Sequence, residues 1–283
     1  MNDPASGAIS ASAGPEPGRW SMYAHAFAGL LLRDLRVLLR EFLQFLLRTI
    51  MQPFLFVFVF TYLMPKIGQG ISAGASQSSF ATILVPGLVS VAILIQGVTS
   101  VASPLAIELG STREIEDRVM APLPVAAVAI EKVTFSAVQS IIAAIAVFPF
   151  VYLVPTTPVS VHIESWPLLI VVVLLASFTA GSLGLVLGTI ISPQQIGILF
   201  GILVTPIIFL GCVYYPWASL RSIRWVQIIA LLNPLVYVSE GMRAALTPEV
   251  PHMPVWAFLG GLTVLLIALT TFGVQNFRHR VVD

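Results

Sequence analysis

The sequence predicts an all-α polytopic membrane protein, and three observations support this fold class: the composition, the apolar runs and the placement of the basic residues. Of the 283 residues, 57% are hydrophobic and only 10% are charged, and the mean hydropathy is +0.95. A soluble domain carries roughly a quarter charged residues, so this chain cannot build a water-facing surface. The formal net charge of +1 also gives no electrostatic reason to expect a nucleic acid partner.

Six apolar stretches are long enough to cross a membrane, since a spanning helix needs about 20 mostly apolar residues. They are 47–65, 80–103, 125–152, 166–191, 196–215 and 254–275. A further apolar run, WVQIIALLNPLVYV at 225–238, is too short to cross and is broken by Asn233 and Pro234. The sequence therefore predicts six transmembrane helices.

The basic residues predict that both termini lie in the cytoplasm, because cytoplasmic loops carry an excess of Lys and Arg. In that orientation ten Lys and Arg residues fall inside, whereas only Lys66, Arg221, Arg224 and Arg243 fall outside. Residues 1–20 are rich in Pro, Gly and Ser and contain no apolar stretch. They predict a disordered cytosolic tail and not a secretory signal.

Residues 21–47 predict an interfacial amphipathic helix ahead of the first span. At 100° per residue, Arg33, Arg36 and Arg40 share one polar face, while leucines and phenylalanines occupy the other. Such a helix lies in the headgroup plane of the bilayer, with its arginines toward anionic lipid. The alternative is that 30–47 begins a long tilted first span, which would place these arginines in lipid at a high cost.

No energy source or catalytic site is evident in the chain itself. The cores of the predicted spans contain no Asp, Glu, Lys or Arg, whereas ion-coupled carriers usually hold such groups at mid-membrane. A phosphate-binding P-loop needs a Lys directly after a Gly, but Lys66 and Lys132 follow Pro and Glu. The four histidines show no metal-ligand spacing. We therefore assign no catalytic residue, metal or cofactor to this chain, and expect any work to come from another protein.

A short charged segment separates the second and third apolar stretches. Six of the eleven residues from Glu108 to Arg118 are charged. Ser111 and Glu114 have the spacing of a capping box, and prolines follow at 122 and 124, so 111–121 predicts a rigid helix at the cytosolic face. The residues that would form its partner-facing surface are Ser111, Arg113, Glu114, Ile115, Asp117, Arg118 and Val119. The alternative is a solvated loop that only connects two spans.

Small residues recur within the fourth apolar stretch, GSLGLVLG at 181–188. Gly184 and Gly188 stand four residues apart, on one helix face. Such spacing predicts close packing against another helix in lipid, either within one subunit or across a dimer.

Two stretches resemble the permeases of ABC-2-type (type V) ABC transporters. ELGSTREIEDRVMAPLPVAAVAIEKV at 108–133 is similar to their cytosolic loop, and NPLVYVSEGMRAAL at 233–246 is similar to their Asn-Pro-Leu-x-Tyr…Arg signature before the last span. Within the family, the chain most resembles the daunorubicin-resistance-type exporters of drugs and lipids. Its loop departs from the family pattern by an extra Ser-Thr pair and a Glu-Asp-Arg run, which affects the expected register of the loop on a partner.

The resemblance implies how such a chain would work. Residues 111–121 would be the coupling helix that docks on a separately encoded ATP-binding cassette ATPase subunit, and 21–47 would be the connecting helix. That partner would bind ATP and Mg²⁺, so this chain would need no cofactor of its own. A second permease copy, identical or related, would complete a dimer in the lipid bilayer of a prokaryotic-type plasma membrane.

The resemblance also gives a role to the external segment 216–246. We expect a re-entrant helical hairpin divided at Asn233 and Pro234, because proline disfavours helix in the residue before it. Glu240 and Arg243 stand three residues apart, close enough to pair on one helix. These four residues are candidates for an external gate, and the alternative is a static cap.

Together these observations predict a permease subunit that exports a hydrophobic or amphipathic substrate, such as a drug, a lipid or a glycolipid. The reason is that spans with so few charges would form apolar walls. Two alternatives stay open from the residues: an ATP-independent channel or secondary carrier, and a membrane-embedded lipid-modifying enzyme. The first would move substrate without an ATPase, and the second would need an acid pair or a metal site that the sequence does not reveal.

Overall fold

The computed structural model describes residues 19–67, 80–112, 124–153 and 161–282, and within these ranges every regular element is a helix. Five helices are long and apolar enough to cross a membrane: Phe42–Leu63, Thr82–Gly110, Val125–Phe150, Trp166–Ile190 and Val255–Val281. The chain is therefore a multi-pass helical membrane protein, and five of the six predicted spans have a counterpart. The predicted tail at 1–20 lies almost wholly outside the described residues.

Nine helices are numbered here along the described ranges. They are α1 (Arg19–Arg40), α2 (Phe42–Val57), α3 (Phe80–Ile107), α4 (Val125–Leu153), α5 (Trp166–Ile190), α6 (Pro193–Phe209), α7 (Arg224–Ala230), α8 (Pro234–Leu246) and α9 (Val255–Val282). π-Helical segments extend α2 over Phe58–Leu63 and α3 over Glu108–Thr112, a short turn at Met64–Lys66 ends α2, and a 3₁₀ turn at Trp217–Ser222 precedes α7. The helix ahead of the first span ends at Arg40, with a backbone break at Glu41 (φ −106°, ψ 17°), so 42–47 belongs to the spanning helix.

The sixth predicted span, 196–215, is not confirmed as a spanning helix. α6 is shorter than the five long helices, and a π-helical segment at Phe200–Val204 interrupts it. The chain then turns at Cys212, whose φ of 55° lies outside the right-handed helical region. The span predicted from hydropathy continues through this turn because Leu210 and Val213, on either side of it, are apolar.

α3 is the centre of the bundle. In its spanning window 83% of the residues are buried inside the protein, compared with 11% in that of α2 and 17% in that of α9. α3 packs against α4, α5 and α8, and α5 in turn packs against α9. The outer faces of α2 and α9 carry exposed apolar side chains such as Leu47, Met51, Val264 and Ile267, as expected for helices in a membrane.

α1 packs against one end of the bundle. Its Phe27 and Leu30 pack against a buried cluster that contains Leu105 of α3, Val128 of α4 and Phe277 of α9. Part of the apolar face that the sequence predicts to enter lipid therefore contacts protein. We refer to this end of the bundle as the α1 end and to the opposite end, where α8 lies, as the α8 end.

Glycines bring the backbones of α3 and α5 into direct contact. A Cβ atom added to Gly184 would lie 2.8 Å from the carbonyl oxygen of Val98, and one added to Gly188 would lie 3.0 Å from the Cβ atom of Leu105. Gly97 on α3 has the same property toward Ala180, at 2.4 Å. The small residues at 181–188 thus serve packing within one chain.

The substitution Gly184→Ala should lower the free energy of unfolding by about 1–3 kcal/mol, because the added methyl group forces α3 and α5 apart. Thermal unfolding of the detergent-solubilised protein measures the effect. Gly260→Ala is the matched control, since nothing lies within 4 Å of its added Cβ atom and alanine favours helix more than glycine does. Equal losses in both variants would contradict the packing role of Gly184.

Candidate functional site

α8 begins at the Asn-Pro pair. The Oδ1 atom of Asn233 accepts a hydrogen bond from the Leu235 backbone N–H (2.9 Å), which is the role of an N-cap residue. Pro234 occupies the first helical turn, where the missing N–H has no helical acceptor to lose. The Asn233 Nδ2 group donates to the carbonyl oxygen of Ile207 (2.7 Å). Asn233 therefore both starts α8 and fastens it to α6.

α8 lies inside the protein although the sequence places it in an external segment. Nearly all of its residues are buried, and it packs against α3, α5 and α9. The part of 216–246 that precedes it is a 3₁₀ turn and the short helix α7, where Trp225, Ile228 and Leu232 are exposed. Burial against protein is what a bilayer requires of short helices and irregular backbone.

Glu240 and Arg243 form a fully buried ion pair on α8. Arg243 Nη1 lies 2.5 Å from Glu240 Oε1, and neither side chain has exposed surface. Glu240 Oε1 also accepts a hydrogen bond from the Trp217 backbone N–H (2.8 Å), and Oε2 accepts one from that of Met253 (2.7 Å). Arg243 Nη2 donates to the carbonyl oxygen of Cys212 (2.9 Å). The pair therefore joins α8 to three connecting segments: the turn after α6, the start of the 3₁₀ turn and the irregular segment before α9.

The hydrogen bonds of the Glu240–Arg243 pair couple any movement of α8 to the three segments that it contacts. A buried ion pair is tolerated when hydrogen bonds satisfy the remaining donors and acceptors of both groups. Both carboxylate oxygens of Glu240 are satisfied, and among the described residues only Nε of Arg243 in this pair lacks an acceptor. An external gate at these residues would therefore have to move together with all three attached segments.

Replacing Glu240 by Ala should lower the free energy of unfolding by about 3–5 kcal/mol, because the Arg243 charge then stays buried without a partner. The change also removes the acceptor of two backbone N–H groups. The measurement is thermal unfolding in detergent. Glu249→Ala is the control, since Glu249 is an exposed carboxylate that follows α8. A Glu240 variant as stable as the Glu249 variant would contradict the structural role of the pair.

At the α1 end, the helices that flank the charged segment are fastened to each other. Lys132 Nζ on α4 lies 2.7 Å from Glu108 Oε2 at the end of α3, and both residues are nearly buried. At Gly110 the chain passes so close to Pro193 that an added Cβ atom would lie 2.5 Å from the proline ring. The neighbouring Glu131 is fully buried as well. The segment thus leaves the bundle from a point where α3, α4 and α6 meet.

Most of the predicted coupling helix lies outside the described residues. This holds for Arg113, Glu114, Ile115, Asp117, Arg118 and Val119, while for Ser111 only the backbone is described, within the π-helical segment Glu108–Thr112. The helix at 111–121 and its capping box therefore stay predictions. The described residues show where the segment begins and where it ends, at Thr112 and Pro124.

The three arginines predicted to face lipid headgroups, Arg33, Arg36 and Arg40, are all exposed on α1. Arg33 also lines a cleft that the sequence did not predict, between α1–α2 and α3–α4, with a volume of about 690 Å³. Most of the side chains around this cleft are polar, including Gln96 and Gln139. The sequence signal for this cleft is glutamine, serine and threonine within apolar runs, and because these residues are uncharged they do not stand out in the charge pattern.

The chain can be placed in a family by comparison with known proteins. The family model described as ABC-2 type transporter matches residues 25–247, which is well over half of the chain and includes both the charged segment and α8. No curated protein matches the chain at a significant level. The chain therefore belongs to the ABC-2 type transporter family, whose members are membrane components of transport systems.

Proposed function

We propose that this chain is the permease subunit of an ATP-driven ABC exporter, and that it moves a hydrophobic or amphipathic substrate out of the cytoplasm. The family match at 25–247 carries this proposal. A separate ATPase subunit binds ATP and Mg²⁺ and supplies the work, because the sequence contains no P-loop. The resemblance to daunorubicin-resistance-type exporters makes drugs, lipids and glycolipids the first substrates to test.

In this proposal, 111–121 is the coupling helix that receives the movement of the ATPase. The contact between Glu108 and Lys132 (2.7 Å) supports the assignment, because it holds the two flanking helices together where the segment emerges. A short segment held at both ends moves α3 and α4 along with it. The exposed arginines of α1, which packs on the same end of the bundle, then form part of the connecting helix beside the ATPase.

Six crossings with both termini in the cytoplasm account for the path of the chain. α1 and the C-terminal part of α9 share one buried cluster at the α1 end, which supports an even number of crossings. Between α5 and α9 the chain runs from Pro193, against Gly110, to Val213, against Gly87. Gly87 and Gly110 are separated by about 35 Å along α3 at 1.5 Å per residue. This distance supports the proposal that residues 193–213 form the sixth crossing as an interrupted helix.

A second permease copy and the bilayer cover the outer faces in this proposal. α2 and α9 are the least buried of the five long helices, and their outward side chains are apolar. The protein then acts as a homodimer or heterodimer in a prokaryotic-type plasma membrane. Asn233, Pro234, Glu240 and Arg243 hold α8 as the external gate of each copy.

Charge reversal in the coupling helix tests the link to the ATPase. Glu114→Lys or Arg118→Glu should reduce the ATPase subunit that co-purifies with the tagged permease from native membranes by about tenfold, because like charges then face each other across the interface. Substrate-stimulated ATP hydrolysis should fall with it. Glu249→Lys and Arg221→Glu are the controls, as both residues are exposed near the α8 end. Unaltered assembly in both coupling-helix variants would contradict the proposal.

Vesicle transport tests the source of energy and the class of substrate. We expect inside-out vesicles to accumulate daunorubicin or a fluorescent phospholipid only when permease, ATPase subunit and ATP are all present. Vesicles with the permease alone serve as the control. Equal transport without the ATPase would show a channel or secondary carrier, and transport restricted to small ions or sugars would contradict an amphipathic substrate.

A further inference from the structure

The polar cleft between α1–α2 and α3–α4 has the dimensions of a binding site. Its volume of about 690 Å³ lies within the range of roughly 300–1,000 Å³ that is typical of ligand pockets. A second cavity of about 220 Å³ adjoins it and shares Arg48, Thr49 and Gln96 with it. Together the two cavities follow α2 from its first turn toward its middle.

The cleft reaches a depth at which polar side chains are costly. Gln139 lies near the midpoint of α4 (Val125–Leu153), about 21 Å from its first residue at 1.5 Å per residue. The Thr49 hydroxyl donates to Gln96 Oε1 (3.1 Å), and Gln96 Nε2 donates to Gln139 Oε1 (2.9 Å). This chain of hydrogen bonds joins α2, α3 and α4 inside their spanning regions. Polar groups retained at membrane depth usually line a pathway or a site.

The inner end of the cleft contains the side-chain amide of Gln139, which can form further hydrogen bonds. Gln139 is only 9% exposed and lines the cleft. Its Oε1 atom accepts the bond from Gln96, but among the described residues its amide nitrogen has no acceptor. The amide group of Gln139 has two N–H donors, and at the cleft they can bond to an oxygen atom that a ligand brings there.

Charged side chains of both signs line the outer part of the cleft: Arg33 and Arg48 are positive, and Asp34 and Glu41 are negative. Arg48 lies about two turns into α2, and of these four residues it alone lines both cavities. An arginine at this depth is tolerated where it faces a polar cavity. Its planar guanidinium group matches the geometry of phosphate oxygens.

The apolar side of α2 indicates that a ligand of this cleft carries a hydrocarbon tail. Leu43, Leu47, Met51 and Leu55 recur every four residues on α2, and at least half of each side chain is exposed. This stripe runs parallel to the cleft along the same helix. A lipid whose headgroup occupies the cleft would therefore have apolar surface beside it for its acyl chains.

We propose that the cleft binds the phosphate-bearing headgroup of an amphiphile that enters from the leaflet at the α1 end. Arg48 pairs with the phosphate, and the amide of Gln139 donates to a headgroup oxygen. The proposal rests on the proposed function in taking the substrate to be an amphiphile, and it adds where in a single chain the polar part of that substrate binds.

Lipid binding to the full-length chain tests this site without ATP or an ATPase. Native mass spectrometry of the protein in detergent gives the apparent Kd for dioleoylphosphatidylglycerol. We expect Arg48→Gln and Gln139→Leu each to weaken binding about tenfold, the effect of one lost hydrogen bond to a charged group. Arg221→Gln and Gln275→Leu are the matched controls, because neither residue lines the cleft and Arg221 is exposed near the α8 end. Equal Kd values for each variant and its control would overturn the proposal.

Two further ligands separate the possible sources of the phosphate. Dioleoylglycerol has the same chains without phosphate and should bind at least tenfold more weakly than the phospholipid. Glycerol 3-phosphate has the phosphate without chains and should not compete even in large excess. Competition by glycerol 3-phosphate would show a site for a soluble phosphate and would overturn the lipid assignment.

Variants that preserve the shape of the side chain separate binding from folding. Gln139→Glu keeps the size and an acceptor oxygen but replaces the amide donor by a carboxyl group, so it should abolish phospholipid binding, and the melting temperature measured beside the Kd gives the cost of the buried carboxyl group to folding. Arg48→Lys keeps the charge and should retain part of the binding. If ATP-driven transport persists while none of these changes affects the Kd, only the cleft assignment fails. If the phospholipid binds as expected but transport needs no ATPase, only the proposed function fails.

Discussion

The rest of the fold depends on the close approach of α3 and α5. Gly97, Gly184 and Gly188 remove side chains where the two backbones meet, and in lipid such van der Waals contact is a main source of helix association because apolar burial gives little driving force. With α5 held in place, α4 and α8 pack on other faces of α3. α3 thereby contacts α4, α5 and α8 and lines the cleft that it shares with α2.

Because α3 is buried along its length, it links the two ends of the protein mechanically. At the α8 end, Gly87 packs on the backbone of Val213, beside the residue whose carbonyl Arg243 holds. At the α1 end, Glu108 is paired with Lys132 where the charged segment begins. In the proposed function, a displacement of that segment would be transmitted along one helix to the segments around α8. The prolines inside α3 lie close to its two ends, so the middle of the helix keeps its full set of backbone hydrogen bonds.

The long helices could be predicted because an apolar run in a bilayer has no alternative to helix or closed barrel. The start of α8 could also be predicted, since Asn is a preferred N-cap residue and Pro is favoured in the first helical turn. The end of α6 could not be predicted, because the turn at Cys212 is made of apolar residues and the hydropathy of the sequence does not fall there. The cleft was missed for a related reason: Gln96 and Gln139 are uncharged, and their partners come from different helices, which only the packing brings together.

Uncharged amides suit the inner part of the cleft better than ionised groups would. An ion at mid-membrane depth loses several kcal/mol of hydration free energy, and it would hold a ligand of opposite charge too firmly, whereas a transport site must also release its ligand. Arg48 stands nearer the α1 end, where hydration is easier, and Gln139 lies deeper. A headgroup moving inward would therefore exchange one strong contact for weaker ones. The Glu240–Arg243 pair shows the opposite arrangement: its charges satisfy one another and three backbone groups, and because both side chains are fully buried, the pair stabilises the fold and is closed to a ligand.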